Sequence, residues 1–218
     1  LHDWQNLARL LPEARRRHLL PDEELNDLER ATQRELLSLP LPAGALDILH
    51  QAWSGMSESA RQHPDMVSVY AQQLINQNAM DECTSLLTTA LERQWDERLV
   101  LLYGEARDAQ PAVQLETAEE WLARHGESPT LLLTLGRLAR RNRLTDRARS
   151  YLEKSLVLGA SAAAHAELGT LFEEAGDSAS ALSHCRQALE LCRNLHHPVL
   201  SRQGLSLPGT SGINDYGY

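Results

Sequence analysis

The chain has 218 residues, 30 of them acidic and 21 basic, for a formal net charge of −9. That balance excludes a general nucleic-acid binder, because affinity for a phosphate backbone needs a concentrated basic surface. Three cysteines without paired spacing exclude a disulfide framework and point to a reducing compartment, and a single Phe beside abundant Leu, Ala, Glu and Arg is a helical composition, poor for sheets.

In chain order, the segment 1–63 reads as helical but irregular. A first helix is expected to run to about His18, kinked or split at Pro12. It reads as the second helix of a hairpin whose first helix lies upstream, so the chain is expected to be a piece of a longer protein. A second helix follows Pro21, with Asp22, Glu23 and Glu24 near its positive end. LSLPLPAG at 37–44 breaks the chain, and a third helix carries Leu46, Leu49 and Trp53. His63-Pro64 then opens a regular array.

From residue 64 one pattern recurs. The small residues Ala71, Gly104, Gly136 and Gly169 follow one another at intervals of 33, 32 and 33, each preceded by a bulky residue: Tyr70, Tyr103, Leu135 and Leu168. A period near 34 is the signature of tetratricopeptide-type helical hairpins. The small residue admits the partner helix and the bulky one fills the space between neighbouring hairpins. Twelve residues on, the second helix supplies Cys83, Ala148 and Ala181 as its own small positions. The hairpin from 97 to 125 breaks step, with Glu116 at that place, so its small residue is expected at Ala118, and Trp121 and Leu122 in the seam. These readings predict an all-α, tetratricopeptide-type solenoid, a right-handed superhelix of antiparallel helix pairs. Its parts are an irregular layer over 1–63, four hairpins over 64–193 and a flexible tail over 194–218, rich in Gly, Ser and Pro.

The segments LLPEARRRHLLPDEEL, AWSGMSESARQHPDM, ALERQWDERLVLLYGE, LLLTLGRLARRNRLTDRARSYLEKSL and AHAELGTLFEEAGD together resemble the carboxy-terminal tetratricopeptide region of the HemY-type proteins of proteobacteria. The likeness covers residues 1 to about 193 and is most specific over 131–156. It implies a membrane-anchored protein of the inner membrane, anchored through a segment absent from this chain, with the repeat domain on the cytoplasmic side. It also implies association with the late steps of protohaem synthesis, with haem-pathway enzymes as partners.

Catalytic patterns are absent: the sequence has no nucleophile elbow, HExxH helix, P-loop, CxxC pair or GxGxxG loop, and no enzyme activity, resident cofactor or metal is assigned. His184, Cys185, Cys192, His196 and His197 lie close in sequence, but helix geometry scatters them, and they are read as packing and surface residues. The notable local feature is basic. Arg137, Arg140, Arg141, Arg143, Arg147 and Arg149 crowd into thirteen residues of an acidic chain. First helices line the concave face of such arrays, which would place Arg137, Arg140 and Arg141 in the groove, with Arg98 from the preceding hairpin and Thr170, Glu173 and Glu174 from the next. Guanidinium groups suit carboxylates, so the groove is expected to hold a partner protein, or alternatively haem or a porphyrin through its propionates.

Overall fold

The structure, a computed structural model, describes residues 3–196. Among them lie twelve helices and no strands: α1 Trp4–Arg16, α2 Asp22–Leu37, α3 Leu46–Ser54, α4 Glu58–Gln62, α5 Pro64–Asn76, α6 Met80–Arg93, α7 Glu97–Glu105, α8 Pro111–His125, α9 Pro129–Arg141, α10 Thr145–Leu158, α11 Ala162–Glu174 and α12 Ser178–His196. From α5 onward they form four successive hairpins, α5/α6 to α11/α12, whose first helices pack each on the next, with α7 and α8 meeting through the side chains of Tyr103, Trp121 and Gln114, so the chain is an all-α tetratricopeptide-type solenoid.

Local signals set the period. The first helices of the hairpins begin at residues 64, 97, 129 and 162. Each start is capped by the side chain just before it: His63, Asp96, Ser128 and Ser161 accept from the backbone N–H groups of Asp65, Arg98, Leu131 and Ala164. Pro64 and Pro129 stand at first-turn positions, where the missing N–H costs nothing. Three of the four first helices end on a left-handed residue two beyond the helix: Asn78 (φ 60°), Arg143 (φ 60°) and Gly176 (φ 80°). In each case the next N–H closes back on the last turn, as Leu144 N does on Ala139 O at 3.0 Å.

Packing follows the small-residue pattern. Ala71, Cys83, Ala118 and Ala148 are wholly buried, as are Leu135 and Leu168 between hairpins. A Cβ on Gly136 would stand 2.5 Å from Leu152 Cγ, so only glycine admits α10 this close. At Gly104 the close neighbour is instead Thr134 of the following first helix, 2.8 Å from the same hypothetical atom. Thr134 Oγ1 donates to Val100 O at 3.0 Å, which locks α9 to α7.

The hairpin α7/α8 departs from the others for a visible reason. α7 spans nine residues, against thirteen in the other three first helices, and Ala106 leaves it in extended backbone without a left-handed residue. The register of α8 shifts accordingly, with Ala118 and Trp121 buried and Leu122 partly so. Tyr103 meets Trp121 edge-on at 4.6 Å, and Trp95 stacks on His125 at 3.8 Å.

Before residue 64 the helices are less buried. α1 continues through Pro12 without splitting, at the cost of the hydrogen bond that residue would have given Ala8 O. The short α4, closed by the Ser57 cap, is one turn that hydrophobic spacing did not reveal. This layer is tied to α5 by polar and aromatic contacts. Trp53 stacks flat on Tyr70 at 4.1 Å, and Tyr70 Oη donates to Glu82, which His50 also meets. Gln73 Nε2 donates to the carbonyls of Leu37 and Leu39. Of the tail expected over 194–218, residues 197–218 lie outside the described residues; α12 itself reaches His196.

Candidate functional site

The first helices α5, α7, α9 and α11 lie side by side, each packed on the next, and their polar side chains meet across the seams. The arginine cluster of α9 sits at the centre of this face. Arg137 Nε donates to Glu167 Oε1 at 2.9 Å, and its Nη1 stands 3.6 Å from Glu105 Oε1. Arg140 donates from Nε to Glu167 Oε2 at 3.2 Å and from Nη1 to Glu174 Oε1 at 2.9 Å. The result is a charge ladder, Glu105–Arg137–Glu167–Arg140–Glu174, that crosses three hairpins from α7 through α9 to α11.

Half-burial gives the ladder its character. The side chains of Arg137 and Glu167 are 14% and 17% exposed. Charges at that depth are screened less than surface pairs, and losing one partner strands the other. The ladder therefore fixes how α11 sits on α9 more than it adds net stability. One polar atom is left over: Arg137 Nη1 is buried and has no hydrogen-bond partner.

Arg141 is placed elsewhere. Its guanidinium turns back to the end of α7 and donates to Gly104 O and Ala106 O, each at 2.7 Å, and to Glu105 O at 3.3 Å. Burial, together with the charges of Arg107, Arg137 and Arg140, brings its pKa down to about 10, which leaves it charged at neutral pH. The same helix end is held from the other side by Gln114 Nε2, which donates to Tyr103 O at 2.7 Å and Ala106 O at 3.1 Å. Two side chains thus satisfy the carbonyls that a left-handed turn satisfies in the other hairpins.

Arg98 is placed at the start of α7, where it pairs with Asp65 of α5 at 2.5 Å and with Asp96 at 2.7 Å, and shares no partner with Arg137 or Arg140. Those contacts raise its own pKa further and hold Asp96 below the usual carboxylate range. Thr170 bonds within its own helix to Ala166 O, and Glu173 is exposed. The structure thus joins Arg137 and Arg140 of the expected basic half to Glu174 of the acidic one, through Glu167 and beside Glu105, neither of which the sequence singled out. The signals were present: Glu167 lies two turns before Glu174 on one face, and Glu105 precedes Arg137 by one repeat, 32 residues.

No protein-family model matches this chain, and no curated protein matches it. Solved structures that align with it include MamA (MSR-1), at 14% identity over 77% of this chain and 99% of that one with a TM-score of 0.44. MamA (AMB-1) aligns at 16% identity over 77% and 93% with a TM-score of 0.40. BtubC (BKLC) from P. vanneervenii aligns at 15% identity over 98% and 97% with a TM-score of 0.49. Likenesses this distant carry no functional argument. What stands is the chain's own packing: an all-helical solenoid of hairpins whose first helices are linked by a five-residue charge ladder.

Proposed function

We propose that this chain is a non-catalytic protein-interaction domain that holds partner proteins along its inner face. The observation that carries the reading is the ladder from Glu105 to Glu174, which holds three adjacent first helices in one fixed arrangement and so preorganises an extended polar surface. Such a surface suits a helical or extended segment of another protein, recognised by side chains at repeat spacing. The resemblance to HemY-type proteins supports the finer reading: the partners are enzymes of the late steps of protohaem synthesis, and the domain works at the cytoplasmic side of an inner membrane. Among the described residues no helix is long and apolar enough to cross a membrane.

A second reading, direct binding of haem or a porphyrin, is favoured by one observation: Nη1 of Arg137 makes no hydrogen bond, with Glu105 standing 3.6 Å away, and is a donor suited to a propionate. Against it, Glu167 already takes Nε of Arg137 and Nε and Nη2 of Arg140, and Glu174 takes Nη1 of Arg140.

Calorimetric titration against purified enzymes of the last protohaem steps tests the first reading. Micromolar association with at least one, weakened by the exposed Glu173→Arg change, is the expected result; no association with any of them sinks it. Absorbance titration with haemin and protoporphyrin, repeated on Arg137→Ala with Arg140→Ala, tests the second. A saturable shift that the double variant loses would replace the scaffold reading with pigment handling.

A further inference from the structure

The last hairpin contains a contact with no counterpart in the other three. His165 of α11 and His184 of α12 bring their Nδ1 atoms to 3.0 Å. Their ring centroids are 5.2 Å apart. Nitrogens that close with centroids that far apart mean that the rings meet nearly head-on, each Nδ1 aimed at the other. Head-on imidazoles share one proton between a donor and an acceptor. They do not converge on a third point, as two ligands of a metal ion must, and no group of three or more His, Cys, Asp or Glu residues able to hold a metal occurs among the described residues.

The surroundings offer little to offset a second proton. His50 and His63 each face a carboxylate, Glu82 at 2.9 Å and Asp65 at 3.7 Å. Neither His165 nor His184 has such a partner within ion-pair distance among the described residues. On its own helix, Glu167 is committed to Arg137 and Arg140. From α10, Arg149 lies over the Phe172 ring at 5.1 Å with its charge paired to Glu153, so neither is left to offset a proton on the imidazoles. In the turn, Asp177 is held by Ser180. α12 adds the thiol of Cys185, packed towards Gly169. Phe172 closes the site by stacking on His184, with centroids 5.4 Å apart.

We propose that His165 and His184 form a proton-sensitive latch, closed while the pair carries at most one shared charge and opened when both rings are protonated. With two protons both Nδ1 atoms become donors, and the 3.0 Å contact turns repulsive. Burial and the neighbouring His184 also hold His165 below the usual histidine range. Its folded pKa is thus depressed, and protonation favours the open state. The stabilisation is complete above about pH 6.5, the ordinary histidine value, and is lost progressively as pH falls below it. The consequence reaches the groove, because α11 carries both His165 and the ladder residue Glu167, two positions apart. Loosening α12 removes the support that holds Glu167 against Arg137 and Arg140.

The test is amide hydrogen exchange on the whole chain carrying His50→Gln, at pH 7.5 and pH 5.5 and corrected for intrinsic rates, with α6 as the internal reference because it carries no histidine and that change removes the one that meets its Glu82. Protection of α12 should fall several-fold relative to α6 on acidification. His165→Gln, which keeps a neutral hydrogen-bonding group, should flatten that dependence, and His165→Lys should loosen α12 at both pH values. Nitrogen-detected NMR should show His165 keeping its neutral form to a pH below the ordinary histidine range. An α12-to-α6 ratio that is unchanged by pH, or equally pH-dependent in His165→Gln, overturns the latch, as does zinc-dependent protection of α12 that His184→Gln abolishes.

Discussion

The hairpin α9/α10 and the layer α1–α4 are made from similar residues and come out very differently. α9 buries eight of its thirteen residues, including every one from Leu131 to Gly136. α1, of equal length and rich in leucine, buries one, Leu11, and leaves Leu10 63% exposed. Both are amphipathic in sequence. The difference lies in neighbours: α9 has a helix on each side and a partner behind it, while α1 packs chiefly on α2. In a solenoid, burial comes from position in the stack as much as from helix pattern.

The sharpest way to break that comparison is to truncate equivalent leucines. Leu135→Ala should lower unfolding stability by about 2–5 kcal/mol, whereas Leu10→Ala should stay within about 0.5 kcal/mol. Equal effects in urea denaturation would mean that the α1 layer contributes as a true end of the stack.

The two kinds of arginine offer a smaller contrast of the same form. Arg141→Met should cost about 1–3 kcal/mol, because carbonyls at the end of α7 lose a charged donor while remaining buried. Arg98→Gln, at a side chain 60% exposed, should cost at most about 0.5 kcal/mol, and less as salt is raised. A large, salt-insensitive effect at Arg98 would move the functional search to the start of α7.

Thiol chemistry sharpens the comparison without disturbing stability. Burial, with Glu82 nearby, pushes the Cys83 thiol up to about 12, so at pH 8 it is both covered and protonated. Cys185 and Cys192 are exposed on α12. A disulfide reagent should therefore label two thiols quickly and the third only on unfolding. Three fast thiols would mean that α5/α6 opens locally.

The regular part of this fold was legible in the sequence because it rests on short-range signals. Small residue and bulky neighbour recur every 32 or 33 residues, and the displacement to Ala118 could be read from Glu116 standing where a small residue belongs. The ladder was legible by half. Arg137 and Arg140 stood out as charges, but their partners Glu105 and Glu167 lie 32 and 30 residues from Arg137, and such pairings appear only once the hairpins are stacked. Arg141 sits beside Arg140 in sequence yet serves a different helix, since one residue turns a side chain about 100° around the axis. The His165–His184 contact joins residues on facing helices, and no one-dimensional pattern reports it.

The carbonyl of Ala106 is held at once by Gln114 of its own hairpin and by Arg141 of the next. Repeat proteins are often treated as strings of exchangeable cassettes, trimmed or lengthened by whole units. At this boundary the units are not exchangeable. A version lacking 129–158 would leave the end of α7 short of the donors its neighbour supplies, and a cassette inserted between α8 and α9 would need an arginine of its own at the position of Arg141. Duplication or engineering of this array should succeed at the seams where a left-handed turn closes each hairpin from within, and fail where one hairpin finishes the other's helix.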